Sequence, residues 1–337
     1  MESVIECKQA GKTYRTLQRA SGLVGFAKSF FKRRTKEHVA LRGIDLSVRA
    51  GEMVGLIGEN GAGKTTLVKC LTGIVPVTEG TATLLGRDCA ALTSREKQRL
   101  SLVMGQRSQL WWDIPAIDSF RLLKEIYRVD GNVFDKRVRE HAEQLGVGPR
   151  LETQLRQLSL GERMKMEIIG AFLHDPDVVF LDEPTIGLDL ISQDTIRSFL
   201  RDINRERGAT VVLTSHDMAD IEATCERLVI LHTGSLVFDG RLSDLQQRLV
   251  GRRAIDVHLE PGSRRWSSEL QSEIEPFGAV LLRDAALSLS FEVPAGQSRA
   301  FIQRVFDLFA VHDLAIERQP LEHLVKEIFA HGMEQRS

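Results

Sequence analysis

The sequence predicts an α/β fold followed by a smaller α+β domain. Two apolar runs of strand length, Met53–Ile57 and Val178–Leu181, are typical of buried parallel strands. The first run enters a glycine-rich loop and then an apolar-periodic helix, and the second ends at two acidic residues. A helix over Ser192–Glu206 and a strand over Thr210–Thr214 complete a further strand–helix–strand unit. These observations indicate an α/β core.

The amino-terminal part of this core carries a basic insertion. Residues 3–9 and Val39–Val48 are predicted strands, and residues 15–37 between them hold seven basic side chains and one acid, Glu37. Apolar residues at helical spacing predict an amphipathic helix there. Its apolar stripe comprises Leu23, Phe26 and Phe30. Its basic residues are Arg15, Arg19, Lys28, Lys32, Arg33, Arg34 and Lys36.

The remaining elements of the first domain follow in order. Strands are predicted over Ala82–Leu85 and Leu102–Met104. Residues 107 to about 170 form a mostly helical insertion. Its predicted helices are Ile117–Val129, Val133–Leu145 and Glu162–His174. A hairpin closes the domain, which we place at residues 1–245; its strands are Leu228–Leu231 and Leu236–Phe238.

The pattern changes after about residue 245. The predicted strands are Ala254–Leu259, Ala279–Leu282, Leu287–Val293 and Leu314–Arg318. The predicted helices are Ser267–Glu275, Ser298–Phe309 and Leu321–Ala330. The order βαββαβ predicts a small α+β accessory domain of the split-βαβ type over residues 246–337.

Composition limits the possible function classes. The 45 basic and 46 acidic residues give a net charge of −1 and a pI near 6.8, which argues against a nucleic-acid binder that acts through bulk charge. The four cysteines lack metal-binding spacing and are expected to be small core residues in a reduced compartment. No apolar stretch approaches the roughly 18 residues of a membrane span, and the chain opens with no secretory signal. We therefore expect a soluble, cytoplasmic chain, and any membrane role would have to come through a partner.

The segment Gly58–Thr66 predicts a phosphate-binding loop. Its spacing is Gly-x4-Gly-Lys-Thr, and the glycines allow backbone N–H groups to face an anion because they adopt conformations that a Cβ would block. The helix N-terminus adds partial positive charge, Lys64 can reach the β- and γ-phosphates, and Thr65 can ligate Mg²⁺. The loop is completed by Asn60, Gly61, Gly63 and Thr66. The sequence therefore predicts binding of a nucleoside triphosphate.

Six further short motifs occur in a fixed order around this loop. They are Tyr14, Gln106, Leu158–Glu162, Asp182–Glu183, Gly187–Asp189 and His216. With the phosphate loop, they make roughly residues 1–240 resemble an ABC ATPase, the nucleotide-binding subunit of an ABC transporter. The resemblance implies a P-loop RecA-like core with an antiparallel β part and a helical signature subdomain. It also implies ATP and Mg²⁺ as cofactors.

The resemblance implies a role for each of the single site residues. Tyr14 would stack on adenine, and Gln106 would ligate Mg²⁺ or hold the attacking water. Asp182 would hold Mg²⁺ through water, while Glu183 would polarise the water that attacks the γ-phosphate. His216 would contact the γ-phosphate. The alternatives are an exposed tyrosine, a surface glutamine, a salt-bridged core acid pair and a lone histidine.

The segment Leu158–Glu162 resembles the family signature Leu-Ser-Gly-Gly-Gln. Ser159 and Gly161 match it, whereas Leu160 and Glu162 depart from it. Ser159 at a helix cap, with the free N–H groups of the next turn, can grip an anion. The acid at Glu162 is expected to weaken nucleotide closure somewhat. In the family this motif completes the ATP site of a partner chain, which implies a head-to-tail pair of ATPase chains, here expected to be a homodimer.

The resemblance narrows to a bacterial exporter-type subgroup that serves separate permease chains. It is carried by Gln106–Asp113, by the leucine within the signature and by the basic insertion. It implies membrane permease subunits as partners, no nucleic acid, and a place on the inner face of the cell membrane. Trp111 and Trp112 lie where the family docks the permease, although core aromatics would be equally natural there. The alternatives are a soluble ABC ATPase acting on ribosomes or DNA and the ATPase of an importer.

The basic insertion adds one expectation. A basic amphipathic helix is typical of a segment that binds a membrane surface or a partner helix. We predict that residues 15–37 lie on the membrane-facing side, against the permease or the lipid headgroups. The alternative is an insertion packed on its own domain with a solvated basic rim.

Overall fold

A computed structural model describes residues 3–17, 35–105, 107–249 and 252–318, together with residues 321, 322, 325 and 328. The chain divides into two units, Met1–Gly240 and Arg241–Ser337. The boundary predicted near residue 245 falls inside the helix Leu242–Leu249. The whole helix belongs to the second unit, which begins at Arg241.

The strands and helices of the first unit follow one another in the order typical of an α/β core. The strands are β1 (Ser3–Leu17), β2 (Thr35–Arg49), β3 (Met53–Ile57), β4 (Glu79–Leu84), β5 (Arg87–Asp88), β6 (Leu100–Met104), β7 (Val178–Asp182), β8 (Thr210–Thr214), β9 (Arg227–His232) and β10 (Ser235–Arg241). The helices are α1 (Lys64–Leu71), α2 (Ser94–Lys97), α3 (Ala116–Tyr127), α4 (Gly131–Gln144), α5 (Leu160–Phe172), α6 (Leu190–Arg207) and α7 (Met218–Thr224).

The central sheet of the first unit has six strands in the order β10-β9-β3-β8-β7-β6. Strand β3 pairs in parallel with β8 and β9, and β7 pairs in parallel with β6 and β8. Every residue of β3, β7 and β8 is buried, as expected for parallel strands inside an α/β core. The carboxyl ends of parallel strands meet at one edge of a sheet, so the segments that follow β3, β6, β7 and β8 lie close together.

A second, antiparallel sheet has the strand order β2-β1-β4-β5. Its strands β1 and β2 form a hairpin that stays paired as far as Leu17 and Thr35. Both strands are therefore longer than the predicted strands over residues 3–9 and Val39–Val48. This sheet supplies the antiparallel β part that the resemblance implied.

The two ends of the predicted basic insertion are strand and not helix. Residues 15–17 and 35–37 face each other across the hairpin. Arg15 lies opposite Glu37, and the Nε and Oε1 atoms of this ion pair are 2.9 Å apart. Opposite charges at facing positions favour strand pairing. The spacing of apolar residues within one segment gives no information about such a cross-strand pair. Outside the described residues lies the predicted stripe of Leu23, Phe26 and Phe30.

The helical segment between β6 and β7 consists of α3, α4 and α5. Helix α5 begins at Leu160 and not at the predicted Glu162, because the Ser159 hydroxyl caps its first turn. It buries Met164, Ile168 and Phe172, as the spacing predicted. The ring of Phe172 packs edge-on against Phe199 of α6, with 5.6 Å between centroids. The helical segment thus packs against α6, the helix that follows β7.

The second unit is a four-stranded antiparallel sheet with helices. Its elements are α8 (Leu242–Leu249), β11 (Arg252–Leu259), α9 (Gln271–Ile274), β12 (Val280–Ala285), β13 (Ser288–Pro294), α10 (Ser298–Leu308) and β14 (Val311–Arg318). The strand order is β12-β13-β11-β14. Phe291 and Phe301 are fully buried at the centre of its core, with 5.1 Å between ring centroids. The predicted helix Leu321–Ala330 lies mostly outside the described residues, although four of its positions are helical.

Candidate functional site

The segments at the carboxyl edge of the central sheet surround a cleft of about 570 Å³, here called the loop cleft. The predicted site residues that line it are Tyr14, Asn60, Gly61, Gly63, Lys64, Thr65, Thr66, Asp182 and Glu183. They come from the antiparallel sheet, from the loop after β3 and from the end of β7. The fold thus gathers most of the predicted nucleotide-binding residues into one place.

Four predicted site residues stand outside this lining. His216 reaches the loop cleft through its contact with Glu183. Ser159 and Gly161 are described but do not line the cleft. Gln106 lies outside the described residues, although its two chain neighbours, Gly105 and Arg107, line the cleft.

The backbone of the phosphate loop has a shape that suits an anion. Gly61 and Gly63 have φ values of 85° and 107°, in the region that favours glycine. A Cβ on Gly63 would also lie 2.7 Å from the carbonyl oxygen of Ala40. Lys64 is only 6% exposed, and its ammonium donates to the Gly58 carbonyl at 2.6 Å. No side chain caps the N-terminus of α1, so its N–H groups remain available to phosphate oxygens.

Thr65 and Asp182 lie together on the floor of the loop cleft. The Thr65 hydroxyl donates to Asp182 Oδ2 at 2.9 Å, and the Thr214 hydroxyl donates to Oδ1 at 2.6 Å. These two hydrogen bonds fix the Asp182 side chain, which is only 8% exposed. A hydroxyl beside a fixed carboxylate suits Mg²⁺, which prefers oxygen ligands and takes few of them from the protein when it binds with phosphates. No cluster of three or more histidine, cysteine or acidic side chains able to hold a metal occurs in the described part of the chain.

Glu183 takes an unusual backbone conformation at the end of β7. Its φ is 54°, a region that non-glycine residues rarely adopt. Its N–H donates to the hydroxyl of Thr214 at 3.0 Å, and its carboxylate lies 3.1 Å from Nδ1 of His216. A second carboxylate oxygen lies 3.8 Å from the ammonium of Lys64. The acid is thus held between a cation that can bind phosphate and a histidine that is half exposed.

Tyr14 forms part of the cleft wall on β1, opposite His38 on β2. The Tyr14 ring is half-buried, and the ammonium of Lys12 lies 5.2 Å from its centroid. Lys12 is itself fixed by a hydrogen bond to the carbonyl of Pro76 at 2.6 Å. A cation held against a ring orients it, which leaves a positioned aromatic surface beside the phosphate loop.

The segment Leu158–Glu162, here called the signature turn, is organised by its own residues. Ser159 and Glu162 form a reciprocal capping box: the Ser159 N–H donates to the carboxylate at 3.0 Å, and the Glu162 N–H donates to the hydroxyl at 3.2 Å. Arg150 Nε donates to the same carboxylate at 3.0 Å. The hydrogen bond from the Ser159 backbone and the nearby guanidinium hold the pKa of the Glu162 carboxyl below its usual range.

Gly161 brings the signature turn close to the start of α6. A Cβ at this position would lie 2.4 Å from the hydroxyl of Ser192, so a side chain would force the two elements apart. Asp189 caps α6 by accepting from the Ser192 N–H at 2.9 Å. The next two residues, Leu190 and Ile191, are 76% and 78% exposed. The turn and the start of α6 therefore form one continuous, open surface.

The two tryptophans between β6 and α3 are not core residues. Trp111 and Trp112 are 44% and 47% exposed. The guanidinium of Arg163, on α5, lies 4.9 Å from the Trp112 ring centroid. The core interpretation of this pair, which sequence analysis left open, is therefore excluded.

Sequence reasoning missed three residues that shape the site. Thr214 fixes both Asp182 and the Glu183 backbone, and its place at the carboxyl end of a buried strand was the available signal. His38 could not be recognised from the sequence, because its place opposite Tyr14 depends on the register of the β1–β2 hairpin. Asp220 gave no sequence signal, because two of its partners, Thr185 and Arg197, lie 35 and 23 positions away in the chain.

Comparison with known proteins identifies the family to which the chain is similar. The sequence model of the family described as "ABC transporter" matches residues 41–186. The chain is 30% identical over 217 residues to the ABC transporter ATP-binding protein NatA of Bacillus subtilis (strain 168), covering 64% of this chain and 88% of that protein. It is 32% identical to the linearmycin resistance ATP-binding protein LnrL of the same strain, covering 64% and 69%. It is also 32% identical to the methionine import ATP-binding protein MetN of Streptomyces griseus, covering 64% and 63%.

Two solved structures share the fold. The ATP-binding subunit of an ABC transporter superposes with a TM-score of 0.61 at 24% identity, covering 73% of this chain and 93% of that chain. A dimeric ATP-binding cassette in a post-hydrolysis state, bound to ADP and Pi, gives a TM-score of 0.59 at 24% identity, covering 71% and 98%. Among the described residues, no helix is both long and apolar enough to cross a membrane. By its sequence relatives and by its fold, the chain belongs to the ABC transporter ATP-binding proteins, a family of ATPases.

Proposed function

We propose that this chain hydrolyses ATP in the loop cleft to drive a separate membrane permease, with Glu183 as the catalytic base. One observation carries the proposal. The Glu183 carboxylate stands between Lys64 and His216, beside the Thr65–Asp182 pair, in a single cleft. A phosphate-binding cation, a metal-binding pair and a base are the parts that hydrolysis of a γ-phosphate needs.

The Mg²⁺ site is proposed at Thr65 and Asp182. The hydroxyl would be a direct ligand, and the carboxylate would hold the ion through water, with Gln106 assigned to the same site by resemblance. When bound, Mg²⁺ would neutralise charge on the β- and γ-phosphates. The hydrogen bond from Thr214 keeps the Asp182 carboxylate oriented for this task.

The remaining groups would place the triphosphate and the water. Lys64 would exchange its hydrogen bond to the Gly58 carbonyl for the β- and γ-phosphates, because charge-assisted contacts to phosphate are stronger. Glu183 would accept a hydrogen bond from the water that attacks the γ-phosphate. His216 would contact the γ-phosphate while its Nδ1 holds the carboxylate of Glu183. Tyr14 would stack on the adenine.

The signature turn is proposed to complete the ATP site of a second copy of this chain. Ser159 is exposed on this turn, and neither Ser159 nor the buried Gly161 lines the loop cleft of their own chain. A helix N-terminus with an anion-binding serine would then face the γ-phosphate bound by the partner. The proposed assembly is a head-to-tail homodimer on the inner face of the cell membrane, joined to permease subunits and without nucleic acid.

Export is the proposed direction of transport. It is supported by the exporter-type pattern of residues 106–113. It is also supported by the 32% identity to a relative named for linearmycin resistance. Import is the second candidate, because relatives named for methionine import match equally well. Reconstitution with the co-purified permease distinguishes them: ATP supplied on the side of this chain should drive solute away from that side.

Replacing Glu183 by glutamine tests the central proposal. The amide keeps the shape but loses the carboxylate charge, so turnover should fall by about a hundredfold or more while ATP binding remains. The measurement is ATP hydrolysis by the full chain in its permease complex, with ATP affinity determined in parallel. Glu206→Gln is the control, because this exposed acid at the end of α6 should leave turnover unchanged. Near wild-type turnover of Glu183→Gln would remove the residue as the base.

A further inference from the structure

We propose that Asp220 is a positioning residue that holds Glu183 and His216 in register for hydrolysis. The inference rests on the function proposed above, because it presumes that Glu183 is the base. Asp220 lies in the first turn of α7 and its side chain is almost completely buried. A buried carboxylate is costly unless it is fully hydrogen-bonded, so its partners are informative.

The carboxylate of this aspartate joins three separate segments of the chain. One oxygen accepts hydrogen bonds from the hydroxyls of Thr185 and Ser215. The other accepts from Nε and Nη2 of Arg197 at 2.8 and 2.6 Å. Thr185 follows Glu183 with one residue between them, and Ser215 directly precedes His216. One buried group therefore fixes the backbone beside both members of the Glu183–His216 pair.

The backbone of Glu183 needs such restraint. Its positive φ persists only where surrounding contacts hold it. On one side, Gly105 approaches so closely that a Cβ there would lie 2.5 Å from the Glu183 carbonyl oxygen. On the other side, the Thr185 hydroxyl is anchored to Asp220. Release of that anchor lets the backbone relax and moves the carboxylate away from the attacking water.

Arg197 extends the same network to α6. Its side chain is 11% exposed and also pairs with Asp194 at 2.9 Å. Helix α6 is the element that Asp189 caps beside the signature turn. The network thus links Glu183, His216 and the helix at the proposed interface between two chains.

This arrangement predicts an effect on turnover and not on binding. Lys64 and Thr65 make no hydrogen bond to the network, so ATP affinity should stay unchanged. A misplacement of about 1 Å in a reacting group can lower a rate by roughly a hundredfold. A role that is only structural would instead lower the melting temperature and leave turnover per folded molecule intact.

Thr185→Val is the decisive substitution, because valine keeps the shape of threonine and removes its hydrogen bond to Asp220. In the full chain with its permease, kcat should fall about tenfold with KM and ATP affinity within about twofold of wild type. Thr185→Ser restores a hydroxyl and should return kcat to within about twofold of wild type. Thr224→Val is the matched control, since this buried hydroxyl donates to the backbone carbonyl of Asp220 within α7 and touches neither loop. It should lower the melting temperature but not kcat.

Two results would overturn the inference. The first is a Thr185→Val chain that turns over as fast as the Thr224→Val control. The second is a Thr185→Ser chain as slow as Thr185→Val. Glu183→Gln separates this outcome from failure of the proposed function: if that variant is inactive while Thr185→Val is fast, only the role of Asp220 is wrong.

Discussion

The loop cleft and the signature turn are built in opposite ways, although both are assigned to the same ATP site chemistry. In the loop cleft, Lys64 and Asp182 are nearly buried and are fixed by hydrogen bonds from distant segments. In the signature turn, Ser159 and Glu162 are fixed mainly by each other, three positions apart, with Arg150 close by in sequence. The cleft depends on the whole core, whereas the turn depends on local contacts.

This difference is consistent with the proposed division of the ATP site between two chains. The cleft of one chain contains the proposed base Glu183, Lys64 and the Thr65–Asp182 pair proposed to bind Mg²⁺. The turn presents a capped helix end beside the exposed Leu190 and Ile191. A helix end that is satisfied internally and open to the outside needs no further contact from its own chain. It is therefore suited to meet a surface that another chain supplies.

Within this comparison, the largest effect is expected from disrupting the signature turn alone. Ser159→Arg should leave ATP binding by the single chain intact but lower hydrolysis by about a hundredfold, because the bulky cation occupies the place of the partner's phosphate. Equilibrium ATP binding and steady-state hydrolysis by the full chain measure the two effects. Thr93→Arg is a matched control, since Thr93 forms the same kind of capping box with Glu96 on the exposed helix α2. It should not affect hydrolysis.

Mixing two inactive chains makes this comparison sharper. Lys64→Ala should weaken ATP binding in the cleft, whereas Ser159→Arg damages the turn. In a head-to-tail dimer of one chain of each kind, both lesions fall in the same site and the other site is intact. The mixture should therefore regain hydrolysis that neither variant shows alone. Hydrolysis by a single chain that is independent of protein concentration would contradict the two-chain site.

The folding stability of the helical segment that carries the signature turn should decrease at acidic pH. His141 of α4 packs edge-on against Phe199 of α6, with 5.2 Å between ring centroids, and His174 stacks on Tyr127 with 3.7 Å. Burial lowers the pKa of each histidine from 6.5 to about 4. As the pH falls below 6.5, these histidines take up protons in the unfolded chain before they do so in the folded chain. The free energy of unfolding should therefore be highest above pH 6.5 and fall as the pH drops towards 4.

The expected loss of unfolding free energy is up to about 3 kcal/mol for each histidine. Because the folded pKa of about 4 lies below pH 5, urea unfolding of the full chain at pH 7.5 and pH 5 should show about 2 kcal/mol of this loss for each histidine. His141→Phe keeps an aromatic ring against Phe199 and should flatten the pH dependence. A pH dependence unchanged by both His141→Phe and His174→Phe would contradict this assignment.

The residues of the loop cleft were easier to predict from the sequence than the contacts of the signature turn, for physical reasons. The phosphate loop and the Asp182–Glu183 pair are contiguous motifs beside buried strands, so local spacing reveals them. The length of the β1–β2 hairpin was missed because cross-strand pairs such as Arg15 and Glu37 are distant in sequence. Asp220 was missed because its hydrogen bonds depend on tertiary packing. The signature turn was found only by resemblance, and its contact with Arg150 became apparent only in the structure.

The smallest expected effect concerns the acid in the signature turn. Glu162 was expected to weaken nucleotide closure, yet the structure shows its carboxylate held by Arg150 and by the Ser159 N–H. An exposed ion pair contributes at most about 1 kcal/mol, so Arg150→Ala should raise the ATP concentration for half-maximal hydrolysis only about threefold. Glu162→Gln preserves the capping box, because glutamine also caps, and removes the charge that the arginine offsets. In that background Arg150→Ala should have no further effect on hydrolysis by the permease complex. An equal cost of Arg150→Ala in both backgrounds would mean that the arginine acts on something other than the Glu162 charge.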